Sequence, residues 1–297
     1  MSLSSLKSRL PWWSKIASKL VLSRLPARYH LWQRLNLFKH GSMEDPAYAW
    51  DVFARHWERS DFVGKGQPGF TCLEAGPGDT LSSCLLARVH GAATCHLVDV
   101  GPFARPDMAP YRQLEAWLSE RGSPLPPAAC DGDLDTMLRT LGGRYATQGL
   151  ASLRAIPDGS VHFIWSQAVL EHVRLGEFLP FQKELRRILH PGGICSHTID
   201  LKDHLGGALN NLRFREKTWE APWMAESGFY TNRIRFGQMC RLFEEAGFAV
   251  EVVQRDTWPA LPTPRARLAE PFRGLDEAEL LVKGFQVLLR PAAGPGR

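Results

Sequence analysis

The chain has 297 residues, of which 44% are hydrophobic and 23% are charged, and its formal net charge is +5. This composition is typical of a soluble globular protein, and the length suffices for one large domain with an appendage. No apolar run is long enough to span a bilayer, and no signal peptide is recognisable, so we expect a cytoplasmic protein. The six cysteines are scattered without a C-x-x-C pair, which predicts reduced, structural thiols and no zinc site.

Residues 1–45 are predicted to form a basic, amphipathic helical arm. Eight lysines and arginines and no acid precede Glu44, and because the whole chain is only +5, the remainder carries a net charge of −3. Apolar residues recur at helical spacing, and Pro26 ends the segment. Residues 1–25 can lie on the anionic inner face of a membrane, or pack over the domain that follows. Nucleic acid is not expected as a partner, because that domain is net acidic.

Residues 46–290 alternate short apolar runs with helical ones, which predicts one α/β domain built from βαβ units. We expect seven strands in a mostly parallel sheet with helices on both faces. Two helices are clearest, at residues 178–189 and at 236–246, the second followed by Gly247. The strands are predicted at residues 70–75, 94–98, 145–148, 161–166, 193–200, 249–255 and 284–289.

Three segments do not follow this pattern. The stretches 101–144 and 201–231 are too long for ordinary connections between a strand and a helix, and we interpret them as insertions. The last residues, 291–297, read PAAGPGR and are predicted to form a flexible tail.

The stretch TCLEAGPGDT, at residues 71–80, carries the strongest chemical signal. An apolar strand runs into a tight turn at Gly76 and Gly78 and then into a helix, so that backbone N–H groups can approach a ligand closely. A dinucleotide site needs a third glycine where Thr80 stands, which disfavours a dehydrogenase. Glu74, at the end of the strand, suits a ligand with a positively charged amino group.

Asp99 closes the next strand, 21 residues after Gly78, where an acid can accept both hydroxyls of a ribose. With the glycine turn, further segments resemble the class I S-adenosylmethionine-dependent methyltransferases in content and in order. They are IPDGSVHFIWS at residues 156–166, VLEHV at 169–173, LHPGG at 189–193 and, more weakly, AGF at 246–248. The resemblance covers residues 70–291. It implies a Rossmann-like fold and S-adenosyl-L-methionine as the cofactor.

The resemblance also implies which residues bind the cofactor. The glycine turn and Glu74 hold its methionine part, and Asp99 holds its ribose. Ser166 and Gln167, at the end of strand four, face the methyl-bearing sulfur. Many relatives have an acid after strand three for the adenine amine, but QGLA at residues 148–151 has none, so an apolar side chain, the glutamine or a backbone group is expected there instead. The implied set is Glu74, Gly76, Pro77, Gly78, Asp79, Asp99, Gly149, Leu150, Ser166 and Gln167.

Methyl transfer to a hydroxyl benefits from a general base. His172, just after strand four, is one candidate, and its alternative role is that of a capping or packing histidine. Asp200 and His204, at the end of strand five, are the other candidates, whereas alternation along the strand turns His197 to the face opposite Asp200. Asp200, Asp203 and His204 also have the donor types of a divalent-cation site. We favour the acid–base roles and predict no metal.

The stretch after His204 contains aromatic, amide and guanidinium side chains. They suit a polar acceptor such as a sugar, or they form a lid whose tryptophans only pack. We therefore expect O-methylation of a small molecule, or of a saccharide in surface-polysaccharide or glycolipid biosynthesis. The alternatives are an RNA or protein methyltransferase, disfavoured because SQAV at residues 166–169 replaces the N/D-P-P-Y/F motif, and a scaffold that binds the cofactor without catalysis. The side chains concerned are Asn210, Asn211, Arg213, Arg215, Trp219, Trp223, Tyr230 and Arg233.

Overall fold

The structure is a computed structural model that describes Ser14, Ile16 and residues 42–292. The strands are β1 (Thr71–Ala75), β2 (Thr94–Val98), β3 (Gly143–Ala146), β4 (Val161–Gln167), β5 (Leu189–Asp200), β6 (Phe248–Thr257) and β7 (Val282–Pro291). The α-helices of residues 42–292 are α1 (Pro46–Arg59), α2 (Ser82–Val89), α3 (Ala109–Glu120), α4 (Leu134–Leu141), α5 (Leu150–Arg154), α6 (Leu175–Ile188), α7 (Glu216–Trp219), α8 (Pro222–Ala225), α9 (Phe236–Glu245), α10 (Glu270–Arg273) and α11 (Glu277–Leu281). Short 3-10 turns lie at Leu170–His172, Asn210–Arg213 and Arg265–Arg267.

The seven strands form one sheet in the order β3-β2-β1-β4-β5-β7-β6. Strands β1 to β5 pair in parallel, and β7 runs antiparallel to both of its neighbours, β5 and β6. The predicted Rossmann-like, seven-stranded and mostly parallel sheet is therefore confirmed. The strand order reverses between β1 and β4, so their carboxyl ends open the crevice in which sheets of this kind bind ligands.

Most strands begin within two residues of their predicted starts, and β5 is the exception. It begins at Leu189, four residues early, because the strand contains an irregular stretch. The register between β4 and β5 shifts after Leu189, so that residues 190–193 bulge out of the ladder. A Cβ on Gly193 would lie 2.9 Å from the backbone oxygen of His162, and this close approach requires glycine.

Helices cover both faces of the sheet, as predicted. On one face α1 to α4 bury a core that includes Phe53 of α1, and on the other face α5, α6 and α9 bury a core that includes Phe178 of α6. Along β4 the side chains alternate between these cores, with Phe163 and Trp165 in the first and Ile164 in the second. Each large apolar side chain buried in this way contributes about 1.5–3 kcal/mol.

The predicted insertion at 201–231 folds into a lid with a small apolar core of its own. Trp219 and Tyr230 are buried in this core, and Ile16 of the N-terminal arm packs into it. Ser14 and Ile16 are helical, so at this point the arm packs on the protein. The rest of residues 1–41, and with it most of the predicted membrane contact, lies outside the described residues. The other predicted insertion contains α3 and α4.

The carboxyl-terminal boundary of the fold lies later than the sequence indicated. Pro291 pairs with Phe248, and the N–H of Ala292 donates to the carbonyl of Gly247 at 3.0 Å, so the predicted tail from residue 291 begins two residues too early. Residues 293–297 lie outside the described residues. All six cysteines are free thiols, as predicted. Within residues 42–292, together with Ser14 and Ile16, no helix is long and apolar enough to cross a membrane.

Candidate active site

The glycine turn lies at the carboxyl end of β1, where the strand order reverses. Gly76 and Gly78, on either side of the buried Pro77, have φ of +72° and +70°, in the left-handed region that favours glycine. A Cβ on Gly76 would lie 2.6 Å from both methyl carbons of Val169, which follows β4. The turn therefore touches the residue that leads into the 3-10 turn Leu170–His172.

Asp99, at the end of β2, is bonded to the glycine turn. Its carboxylate accepts the N–H of Gly78 at 3.0 Å and the N–H of Val100 at 2.7 Å. The N–H of Gly149 donates to the carbonyl of Asp99 at 2.8 Å, which brings the loop after β3 to the same place, and Leu150 follows it half-buried. Val100 is 77% exposed, so an apolar surface lies beside the carboxylate.

Glu74 lies within the protein, underneath the glycine turn. It is buried and accepts a hydrogen bond from the hydroxyl of Ser83. Burial raises the pKa of Glu74 to about 8; the Ser83 hydroxyl opposes this rise, and the nearby charge of Asp99 adds to it. At neutral pH the side chain is therefore mainly protonated. It supports the turn from within, whereas the sequence suggested a carboxylate facing a ligand.

The segment before α1 runs along the glycine turn. Buried Asp79 pairs with Arg105 at 3.2 Å, and the same guanidinium lies 3.6 Å from Glu44. The hydroxyl of Ser82 donates to the carbonyl of Met43 at 2.9 Å. Met43 and Glu44, which precede the sheet, therefore lie beside the glycine turn and the start of α2.

Ser166 and Gln167 point to opposite faces of β4. Ser166 is fully buried, and its hydroxyl lies 2.7 Å from Nδ1 of His197. Half-buried Gln167 accepts a hydrogen bond at 3.2 Å from Nε2 of His56, whose Nδ1 lies 2.8 Å from the hydroxyl of Ser196. Burial lowers the pKa of His56 to about 4 and the pKa of His197 to about 3, so both imidazoles are neutral. The two residues predicted to face the sulfur are thus separated by the sheet.

His172 and His204 come together beyond the carboxyl ends of β4 and β5. Their rings stack with centroids 4.8 Å apart and an interplanar angle of 26°. Nδ1 of His172 donates to the carbonyl of Tyr230 at 2.7 Å, so the ring presents its lone pair at Nε2. His172 is exposed and His204 half-buried. Two of the three predicted catalytic residues therefore form one unit.

Asp200, the third predicted catalytic residue, connects to this unit through Glu171. The N–H of Asp200 donates to Oε1 of Glu171 at 3.3 Å, and its carboxylate pairs with Lys202 at 3.3 Å. Burial raises the pKa of Glu171 to about 8, and the charge of Asp200 adds to the rise. As predicted, Asp200 and His197 lie on opposite faces of β5, because Ile199 and His197 point into the core beneath α9.

Asp203 organises a loop. Its two carboxylate oxygens accept four hydrogen bonds from N–H groups of residues 205–210. A carboxylate has about four acceptor sites, so Asp203 has none to offer a cation. The combination of Asp200, Asp203 and His204, which the sequence raised as a cation site, is therefore not supported.

Most aromatic side chains of the lid pack into its apolar core. The indole of Trp219 donates to the carbonyl of Thr231 at 2.7 Å, and the hydroxyl of Tyr230 donates to Glu220 at 2.9 Å. Both rings are buried, whereas Trp223 is 47% exposed. For Trp219 and Tyr230 the packing alternative holds, and they do not form a wall for a sugar.

A family model described as a methyltransferase domain matches residues 134–196, from α4 into β5. The match includes the VLEHV segment, which contains His172 of the imidazole pair. Over these residues the chain is similar to a methyltransferase domain, in agreement with the resemblance seen in the sequence. The crevice fits S-adenosyl-L-methionine, the cofactor that this resemblance implies, because Asp99 offers a carboxylate for ribose hydroxyls, Val100 an apolar surface and Gly76 a close backbone approach. No curated protein matches this chain significantly.

Several solved structures are similar to this chain. A chain from a Haloferax volcanii complex of a methyltransferase activator with a methyltransferase shares 16% identity, with 85% of this chain and 93% of that chain covered and a TM-score of 0.45. A phosphoethanolamine N-methyltransferase 2 from Haemonchus contortus shares 14%, with 82% and 53% covered and a TM-score of 0.46. An S-adenosylmethionine-dependent methyltransferase from Methanosarcina mazei shares 17%, with 77% and 95% covered and a TM-score of 0.46.

The sequence did not indicate three residues of this crevice. Val100 had a weak signal, since an apolar residue follows Asp99 directly in a polar loop. Glu171 lies inside the VLEHV segment but received no role. His56 donates a hydrogen bond to Gln167. Nothing in the sequence indicated this contact, because 111 residues separate the two side chains.

Proposed function

We propose that this methyltransferase methylates a hydroxyl group of a small molecule, or of a saccharide in surface-polysaccharide or glycolipid biosynthesis. The observation that carries the proposal is the stacked pair of His172 and His204. Val169, three residues before His172, meets the glycine turn. Asp200 is bonded to Glu171, the neighbour of His172. A hydroxyl acceptor has a proton to lose, and these groups can accept one.

When bound, S-adenosyl-L-methionine supplies a methyl group on a sulfonium sulfur. The chain then has to align the acceptor oxygen with that carbon, and alignment is worth about 7–11 kcal/mol. It also has to remove the hydroxyl proton, for which a positioned base contributes about 10²–10⁴-fold. We assign this proton to Nε2 of His172, to His204 or to the carboxylate of Asp200.

Two observations support a small polar acceptor. The residues after β4 lack the motif used for methylating amides and base amines, and the part of the chain after the arm is net acidic, which disfavours nucleic acid. Ile16 packs into the lid core, so we propose that the arm acts first as a cap over the acceptor side. Contact of residues 1–25 with an anionic membrane would then bring a lipid-linked saccharide to the lid.

The test is methyl transfer from labelled S-adenosyl-L-methionine to a panel of saccharides and small hydroxyl compounds. We expect the label on oxygen. Of the variants His172→Ala, His204→Asn and Asp200→Asn, the one that removes the base should lower kcat by about 10²–10⁴-fold, with cofactor affinity retained. His190→Gln is the matched control, because His190 stacks on His162 at 4.7 Å but lies at the start of β5, and it should keep activity.

Three results would contradict the proposal. Activity that survives the His172, His204 and Asp200 substitutions would refute the assigned bases. Label found on nitrogen or carbon would refute O-methylation. Tight cofactor binding with no product from any acceptor would favour the non-catalytic scaffold.

A further inference from the structure

We propose that Glu171, His172 and His204 bind a divalent transition-metal cation beside the acceptor. The inference rests on the proposed function, because the acceptor hydroxyl is taken to complete the coordination. One ligand atom from each of the three residues lies within 4.8 Å of the other two. A cation 2.0–2.2 Å from such atoms holds them about 3–3.5 Å apart, so a modest contraction completes the site.

The histidine ligand from the 3-10 turn is already oriented for metal binding. Nδ1 of His172 donates to the carbonyl of Tyr230, and this hydrogen bond leaves the lone pair of the ring on Nε2. Metal-binding histidines almost always donate their other N–H to a carbonyl or carboxylate in this way.

The carboxylate ligand is an independent indication. Glu171 is 1% exposed, and its Oε1 is taken by the N–H of Asp200. Its Oε2 is buried and has no hydrogen-bond partner among the described residues. A buried oxygen of this kind costs free energy unless something binds it, and a cation held with two imidazoles does so.

The backbone around these ligands is firmly held. The N–H of Asn232 donates to the carbonyl of Glu171 at 2.7 Å, and its side-chain amide donates to the carbonyls of Leu170 and Val173 at 2.8 and 3.0 Å. The third ligand, His204, lies on the loop that Asp203 organises. Two ligands on a fixed turn and one on a loop allow the site to close around the ion.

The chemistry of the donors selects the class of ion. Two imidazoles and one carboxylate suit Zn²⁺, Co²⁺, Mn²⁺ or Fe²⁺ better than Mg²⁺ or Ca²⁺, which prefer oxygen. Three protein ligands also leave a coordination position open, as in catalytic sites. The neighbouring cation, Lys202, is paired with Asp200.

The cation narrows the choice of base. With both imidazole lone pairs on the ion, the carboxylate of Asp200 is the group left to accept the proton. The acceptor hydroxyl takes the open position, its O–H bond breaks, and the proton passes to Asp200. The oxygen then bonds to the methyl carbon while the sulfur–carbon bond breaks, with the electron pair left on sulfur.

The experiment is a titration of the chelator-treated full-length chain with Co²⁺, followed by its visible absorption and by calorimetry. We expect one site with the bands of low-coordinate Co²⁺. His204→Asn and Glu171→Gln should each weaken binding at least about a hundredfold, above what most outer-shell changes cost. His162→Asn is the matched control and should leave the titration unchanged. Because Glu171 is buried, the more exposed His204→Asn keeps the test valid if Glu171→Gln fails to fold.

Binding of Co²⁺ that is equally tight in wild type and His204→Asn would overturn the proposal. So would methyl transfer to a hydroxyl that persists undiminished in the chelator-treated enzyme, although the proposed function would stand. Site-specific Co²⁺ binding without methylation of any hydroxyl would instead refute the proposed function and leave the metal site intact.

Discussion

Replacing Glu74 by glutamine tests the arrangement beneath the glycine turn. Glu74 is buried against Ser83, and burial raises its pKa from 4.5 to about 8. The folded protein therefore retains a proton that the unfolded chain releases above pH 4.5. Since the pKa is raised in the folded state, this group makes stability fall as pH rises from about 4.5 to 8.

The size of the effect follows from the shift. One pKa unit corresponds to about 1.4 kcal/mol, so between pH 5 and pH 8 the carboxyl removes about 3–4 kcal/mol from the free energy of unfolding. That is a large part of the ~5–15 kcal/mol typical of a domain. Glutamine cannot ionise, so Glu74→Gln should not show this loss of stability as the pH rises. Glu171 has a pKa raised to the same level, but it is present in both proteins and cancels in the comparison.

The assay is urea unfolding of wild type and Glu74→Gln at several pH values between 5 and 8, with linear extrapolation. The variant should gain about 3–4 kcal/mol of unfolding free energy relative to wild type across this range. Glu120→Gln, whose side chain is 76% exposed, is the matched control and should follow wild type. Parallel pH profiles for wild type and Glu74→Gln would refute the reasoning. The same variant should bind the cofactor nearly as wild type at pH 7, whereas loss of a charged contact would cost about 1.5–3 kcal/mol.

Two further predictions concern the glycine turn. Asp99→Asn removes the charge expected to hold the ribose, so affinity for S-adenosyl-L-methionine should fall about 10–100-fold in calorimetry; unchanged affinity would exclude that role. Gly76→Ala combines a φ of +72° with a Cβ 2.6 Å from Val169, and should destabilise the protein by about 2–4 kcal/mol in urea unfolding. Gly64→Ala, at a φ of +88° with no atom within 4 Å, isolates the backbone strain, so an equal loss in both variants would show that Val169 does not matter.

The strands and the cofactor turn were predictable because their signals are local. An apolar run bounded by turn residues predicts a strand wherever it packs, and the turn at Gly76 and Gly78 is required by the backbone itself. The start of β5 was not predictable, because residues 190–193 belong to the strand only through their register with β4. The hydrogen bond from the N–H of Gly78 to Asp99 was not predictable in detail. The sequence indicated only that the two strands end at the same edge of the sheet.

The acceptor side depended on packing between distant segments. His172 and His204 could be proposed separately, each from its place after a strand, but their stacking results from the loop that Asp203 organises. The importance of Glu171 follows from its burial, which no sequence spacing indicates.

By itself the sequence determined the βαβ order, the glycine turn and the acid that follows β2, since each depends on residues close together in the chain. Only the tertiary structure decided which side chains meet at the edge of the sheet. It enclosed Glu74 and Ser166 within the protein, because helices cover the faces to which they point, and it grouped Glu171 with two histidines, because strands β4 and β5 end side by side.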